Sequence, residues 1–220
     1  MLIEAEEKAK LLFQEVENRG FIKAGKTELK LNKEVYELAA EILSIRKYWH
    51  KRIVRAGANT LLPYHENPKV LRLREDEILF FDFGPVFEDW EADIGRTYVL
   101  GEDENMKKLK ADVEKAWHIG NRHYLDNKET ITGAEFYSFT EGLAIEFGWE
   151  YGNEHCGHLI GNFPHENLEG EEKRNYIHPE NYEPMSELGK DGNERHWIYE
   201  IHFVDKSKEI GGFFEQMLRV

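Results

Sequence analysis

Cysteine is almost absent from this chain. A single one, Cys156, stands among 220 residues, which excludes an internal disulfide and fits a reducing, cytoplasmic setting. Long apolar runs are missing too. Mean hydropathy is −0.67, and no stretch approaches the roughly 20 apolar residues of a membrane span. The opening residues, MLIEAEEKAK, are acidic and helical in pattern, unlike the basic-then-apolar order of a signal peptide. Positive charge is scarce: 29 Lys and Arg against 43 Asp and Glu leave a formal charge of −14. That balance argues against nucleic acid or an anionic membrane as the main partner. It leaves carboxylates for use on a metal, although most of the 43 must be solvated surface. With 40% hydrophobic residues the chain can bury a core, and its length suits one large domain.

What is present concentrates in residues 78–97, ILFFDFGPVFEDWEADIGRT. An apolar run ends in Asp82, bends at Phe83-Gly84-Pro85, and returns through Asp89-Trp90-Glu91 to Asp93. Extended runs around a Gly-Pro bend read as a hairpin. Asp82 and Asp93 then fall on opposite strands, where folding can bring both carboxylates to one point. Two carboxylates held close repel, and they persist when a cation lies between them. Taken alone, each also fits a solvated loop aspartate.

The flanking segments supply a frame. Residues 1–18 carry Ala5, Ala9, Leu12, Phe13 and Val16 on one helical face, and a second stripe predicts a helix near Leu31–Arg46. Arg52–Arg55 alternates like a short strand, and a Gly- and Pro-containing loop follows with Tyr64 and His65. Asp103 caps a helix running to about Tyr124, with His118 and His123 off its buried stripe. Thr132-Gly133-Ala134-Glu135 reads as a capping box opening a helix to Phe147. Residues 152–166 hold three histidines among glycines; Gly161 and Pro164 allow a bend between His158 and His165. Residues 167–194 read as a long polar surface excursion over the site mouth. Two alternating runs, 196–204 and 211–218, form a second hairpin with Glu200 and Glu215 on its arms. Helices followed by a hairpin bearing two acids, twice over, predict an α+β fold of two pseudo-symmetric halves.

Asp82, Asp93, His158, Glu200 and Glu215 make four carboxylates and one imidazole. Such an oxygen-rich set suits two divalent cations of the Mn, Fe, Co or Zn type, with two carboxylates bridging. Two cations about 3.5–4 Å apart share a water, bring its pKa towards neutrality and polarise a carbonyl. That is chemistry for amide hydrolysis.

In these residues the chain resembles the pita-bread metallopeptidases, a group that includes methionine aminopeptidases, Xaa-Pro aminopeptidases and dipeptidases, and creatinase. Asp82-Phe83-Gly84 and Asp93-Ile94-Gly95-Arg96-Thr97 match the first signature of that group, in sequence and spacing. Gly157-His158-Leu159-Ile160-Gly161 with His165 matches the second, and Glu200 and Glu215 fall where the last two ligands belong. The resemblance implies a single catalytic domain over residues 1–220 in the pita-bread fold, without a separate N-terminal domain. It implies two metal ions: Asp82 on one, His158 and Glu200 on the other, Asp93 and Glu215 bridging. It makes Glu200 the proton shuttle, and His65 and His165 contacts to the substrate.

Two positions depart from the pattern. Glu200-Ile201-His202 replaces Glu-Pro-Gly, and His202 is expected to face solvent rather than the site. Phe213 stands where the proline-specific members often have an arginine, which weakens a claim to proline specificity. The expected function is cleavage of an N-terminal peptide bond by a metal-bridging hydroxide, in the manner of an Xaa-Pro aminopeptidase or dipeptidase. Alternatives are a creatinase-like hydrolase of a small C–N substrate and a non-catalytic binding protein on the same fold, which the complete ligand set disfavours. Small peptides or small molecules are the expected partners, and a homodimer is compatible with the sequence.

Overall fold

In a computed structural model of the chain, which describes residues 1–164, 173–189 and 192–219, the apolar stripes become α-helices. Helix α1 spans Leu2–Asn18 and α2 spans Glu28–Leu43. Helix α2 begins before its apolar spacing does, because Thr27 takes an extended cap conformation and accepts the Lys30 amide. It ends short of Arg46 at Ser44, which is left-handed. Strand β1 (Ile53–Ala56) and a 3₁₀ turn at Gly57–Leu61 follow. Strand β2 (Glu77–Phe83) leads to two short strands, β3 (Val86–Phe87) and β4 (Trp90–Glu91), and then to β5 (Ile94–Leu100). Helix α3 covers Glu104–Asn127 from an Asp103 cap, and α4 covers Gly133–Phe147 behind a complete Thr132–Glu135 capping box. Strands β6 (Glu150–Tyr151), β7 (Leu159–Ile160), β8 (His196–Asp205) and β9 (Ile210–Met217) finish the set.

The strands build one sheet in the order β1-β2-β5-β9-β8-β6, with β7 attached to β8. Each strand pair is antiparallel. Both expected hairpins are there. In the first, Phe83 pairs with Ile94, and the tip between them folds into a β3–β4 ribbon turned at Glu88. In the second, Glu200 and Glu215 are direct partners.

Strand alternation sorts the side chains. Leu79, Phe81 and Phe83 of β2 join the core under α1 and α2, around Leu12, Phe13, Leu31 and Leu38. Tyr199, Ile201 and Phe203 of β8 join the core under α3 and α4, around Trp117 and Phe136. Full burial of an aliphatic or aromatic side chain contributes about 1.5–3 kcal/mol, so each half is held to its own helix pair. The opposite face of the sheet, which carries Phe80, Asp82, Glu200, His202, Phe213 and Glu215, lines a cavity.

The halves meet where β5 lies against β9. A single ladder pair, Gly95–Glu215, joins them. The Thr97 hydroxyl donates to the Phe213 carbonyl and accepts the Phe213 amide, both at 2.7 Å. Arg96 donates to the Glu215 carbonyl at 2.7 Å and lies over the Phe214 ring. Gly95 permits this approach: a Cβ there would stand 2.4 Å from the Phe213 ring. Gly142, on the exposed side of α4, has nothing within 4 Å of such a Cβ. We therefore expect opposite outcomes from two identical changes. In urea denaturation, Gly95→Ala should lower the unfolding free energy by about 1–3 kcal/mol. Gly142→Ala should raise it by about 0.5–1 kcal/mol. Equal effects would mean that the β5–β9 seam has room to spare.

Candidate metal centre

Each of the five expected ligands reaches the cavity from a defined place. Asp82 is on the inner face of β2, and Asp93 immediately precedes β5. Glu200 and Glu215 face the same way from adjacent strands. His158 precedes β7, in a segment that runs beside β8 through the Ile198 amide to its carbonyl at 2.8 Å. Its Nε2 lies 3.2 Å from Asp93 Oδ2 and 3.9 Å from both Glu200 Oε1 and Glu215 Oε1. Its Nδ1–H donates to the Leu159 carbonyl at 2.8 Å, which leaves the Nε2 lone pair facing the carboxylates. All five residues line one cavity of about 470 Å³.

The electrostatics follow from burial. Loss of hydration pushes Asp82 up to about 7, with Asp93 adding repulsion, and Glu200 up to about 8. It also drives Glu215 well above the usual carboxylate range. Burial works against ionisation of Asp93 as well, but His50 and His158 outweigh it and hold that carboxyl low. His50 is the complement: burial disfavours its charge, yet Asp93 and Asp82 raise it to about 9.

Four buried carboxylates and two imidazoles fit divalent cations by donor type. A second observation agrees. Among the described residues, the buried Glu215 Oε2 has no hydrogen-bond partner, a condition that costs about 1–3 kcal/mol unless something positive lies against it. Two groups of donor atoms each close to within 4.8 Å: His50, Asp82 and Asp93, and Asp93, His158 and Glu215.

Other expectations fare differently. The His65 side chain is 74% exposed and contacts Glu66 rather than the cavity. The reason is Arg55, which hydrogen-bonds the carbonyls of Leu62, Pro63, Tyr64 and Glu66. That clasp fixes the loop with Tyr64 against the cavity and His65 outside it. His202 does not face solvent. It is buried, donates Nε2–H to the Thr60 carbonyl at 2.7 Å, and has its Nδ1 2.9 Å from Asn153 Oδ1. Burial pushes it down to about 4. His165 lies outside the described residues. Of the surface excursion expected over 167–194, residues 167–172 and 190–191 lie outside the described residues; the stretch 173–189 is mostly exposed or half-buried but anchored, with Ile177 and Met185 buried in the α3–α4 core. Ile177 also exchanges backbone hydrogen bonds with Cys156 and Gly157. His118 is exposed as expected, whereas His123 is half-buried and stacks on Phe139 at 3.7 Å.

Sequence reasoning missed His50, Trp49, Asn153, His155 and Tyr176, which all line the cavity. His50 Nε2 is 3.1 Å from Asp93 Oδ1 and 3.5 Å from Asp82 Oδ1. Its only signal was an aromatic Trp-His pair in the aperiodic stretch between α2 and β1.

The raised carboxylates set a pH dependence for the chain stripped of cations. A group whose pKa rises on folding stabilises the fold below its unfolded pKa and loses that effect as pH climbs through the folded one. Asp82, Glu200, Glu215 and His50 all act in this sense, and Asp93 opposes them only in acid. Chelated protein should therefore lose about 5–10 °C in Tm between pH 5 and pH 8.5. Mn²⁺ should restore most of it at the higher pH. A flat or rising Tm in differential scanning calorimetry would show that these carboxylates do not repel as placed.

Known proteins share this fold. The model of metallopeptidase family M24 matches residues 1–189. An uncharacterized peptidase of Methanocaldococcus jannaschii is 32% identical over 140 residues, 60% of this chain and 38% of that protein. An Xaa-Pro dipeptidase of Pyrococcus horikoshii is 28% identical over 115 residues, 52% of this chain and 32% of that protein. The chain thus spans less than half the length of the curated relatives it matches. Among solved structures, a recombinant prolidase from Thermococcus sibiricus superposes with a TM-score of 0.74 at 25% identity, over 98% of this chain and 55% of that one. A methionine aminopeptidase from Thermotoga maritima gives 0.68 at 18% identity, over 97% and 88%. With two sheet halves, each backed by a helix pair, around one acidic cavity, the fold is the pita-bread fold and the chain belongs to metallopeptidase family M24.

Proposed function

We propose that the chain is a metal-dependent hydrolase that cleaves the N-terminal bond of a small peptide, as an Xaa-Pro aminopeptidase or dipeptidase does. The observation that carries this reading is the convergence of Asp82, Asp93, His158, Glu200 and Glu215 on one cavity, where a buried Glu215 oxygen has no donor among the described residues. Two divalent cations, of the Mn, Co, Zn or Fe type, held by this set would supply Lewis acidity and make water nucleophilic near neutral pH. The protein supplies the remainder. Glu200 stands between His158, 3.9 Å from its Oε1, and Asn153, 3.4 Å from its Oε2. That position suits it to take a proton at Oε2 and pass it to the leaving amine. His165 is proposed as a substrate contact on the strength of the motif alone.

The cavity wall bears on substrate choice. Phe213 tilts against Phe80 with ring centroids 5.1 Å apart, and His202 meets Phe213 at 5.9 Å and Phe80 at 6.0 Å. With Ile53 packed on both phenylalanines, this wall favours an apolar side chain or ring, proline included. Phe213 stands where the family arginine would, and Arg55, which lines the same cavity, is engaged with the carbonyls of Leu62, Pro63, Tyr64 and Glu66.

Elemental analysis after Mn²⁺ or Co²⁺ loading, followed by a panel of dipeptides and longer peptides, tests the reading. Two cations per chain are expected, with cleavage of an apolar-flanked N-terminal bond. Asp93→Ala and Glu215→Ala should lose cation binding and lower kcat/KM by roughly 100-fold or more. Variants that matched the parent in metal content and turnover would refute the site. Two cations without peptide cleavage would move the substrate to the small C–N class.

A further inference from the structure

We infer that His50 is a sixth protein ligand of the centre, placing an imidazole on the cation held by Asp82 as His158 places one on the other. The inference rests on the metal-dependent reading above.

The two histidines are built alike. His50 Nδ1 lies 2.8 Å from the carbonyl of the next residue, Lys51, and His158 Nδ1 lies 2.8 Å from that of Leu159. A carbonyl only accepts, so Nδ1 carries the hydrogen in both rings and Nε2 is free to donate its lone pair. This is the orienting bond that metal-binding histidines make. Both Nε2 atoms then address one carboxylate from opposite sides: His50 lies 3.1 Å from Asp93 Oδ1, and His158 lies 3.2 Å from Asp93 Oδ2. Each also faces a second acid, His50 at 3.5 Å from Asp82 Oδ1. Two donors about 2.1 Å from one cation stand roughly 3.0–3.4 Å apart at octahedral or tetrahedral angles. The 3.1 Å separation from Asp93 lies within that range, and the 3.5 Å separation from Asp82 lies 0.1 Å beyond it.

The surroundings hold His50 in place. The segment 48–50 runs along the bend after Asp82, with the Trp49 amide on the Gly84 carbonyl at 3.0 Å and its indole N–H on the Ala92 carbonyl at 3.0 Å. The Trp49 ring meets both imidazoles, at 4.4 Å and 5.3 Å between centroids. A Cβ on residue 84 would come within 2.4 Å of both the His50 and Trp49 rings, so the glycine of the Asp82-Phe83-Gly84 motif makes the room they occupy. A lone pair aimed at two carboxylate oxygens is repulsive until a cation lies between them. A protonated ring removes the repulsion too, as a plain ion pair, and experiment separates the two.

The full chain, chelated and then loaded with Co²⁺, is suited to X-ray absorption spectroscopy, whose outer-shell scattering counts imidazoles. Calorimetric titration of Co²⁺ supplies the affinities. Ligation by His50 predicts two imidazoles per two cations in the parent protein and one in His50→Ala and His50→Gln. The weaker cation should bind at least about tenfold less tightly in both variants. One imidazole per two cations in the parent protein would overturn the assignment, whether or not a variant folds. So would variants that keep both affinities, because His50 would then be an ion pair alone. A parent chain that binds no Co²⁺ overturns the assignment together with the reading beneath it, whereas two cations with one imidazole overturn the assignment and leave the reading standing.

Discussion

Mutual repulsion among four buried carboxylates is the constraint that the structure is arranged around. Two like charges 4 Å apart repel by about 4 kcal/mol at an effective dielectric of 20. Asp82, Asp93, Glu200 and Glu215 share one cavity at the centre of the sheet. Nothing in an ordinary core would hold them there. The apolar side chains on the other face of the same strands do, because each strand that presents an acid inward buries Leu, Ile, Tyr or Phe outward. Burial of those residues fixes the strand register, and a shift of one residue would send the acids into the helix-backed cores.

The seam between the halves shows how a short motif answers that constraint. In Asp93-Ile94-Gly95-Arg96-Thr97, only Asp93 faces the carboxylates. Gly95 lets β9 come close, Thr97 exchanges two hydrogen bonds with Phe213, and Arg96 takes the Glu215 carbonyl. Three of the five residues therefore work on the backbone of β9, the strand that carries Glu215. The motif reads as chemistry in the sequence, and most of it is carpentry for the next ligand.

This explains what was legible and what was not. The five acid and imidazole positions, the four helices and both hairpins followed from periodicity, caps and motif spacing, all of them local signals. The residues that went astray depend on tertiary contacts that leave no periodic signal in the sequence. His65 had the right spacing, but Arg55 holds the carbonyls around it and turns Tyr64 to the cavity in its place. His202 looked exposed because no local pattern marks the Thr60 carbonyl, 142 residues earlier, that buries it. Ile177 and Met185 sit in a polar, Pro-containing stretch whose composition hides two core contacts. His50 lies between elements, where periodicity has nothing to say, and only the folded bend at Gly84 brings it to Asp82.

The proposed ligands are divided between the halves in a way that would tie cation binding to folding. Asp82 and Asp93 come from the first sheet half, and His158, Glu200 and Glu215 from the second. Asp93 and Glu215 lie at the seam itself, beside the one Gly95–Glu215 ladder pair that joins the halves. Without a counter-charge, the carboxylates push apart at the point where the sheet has least backbone pairing. With one, the same oxygens draw the halves together. Any cation that binds only the folded arrangement adds about 2.7 kcal/mol of stability at 100 times its Kd, comparable to the repulsion it relieves. The acids that make the centre unfavourable to fold alone are thus the ones proposed to hold a cation, and relief of the stability lost at the seam would add to the affinity there.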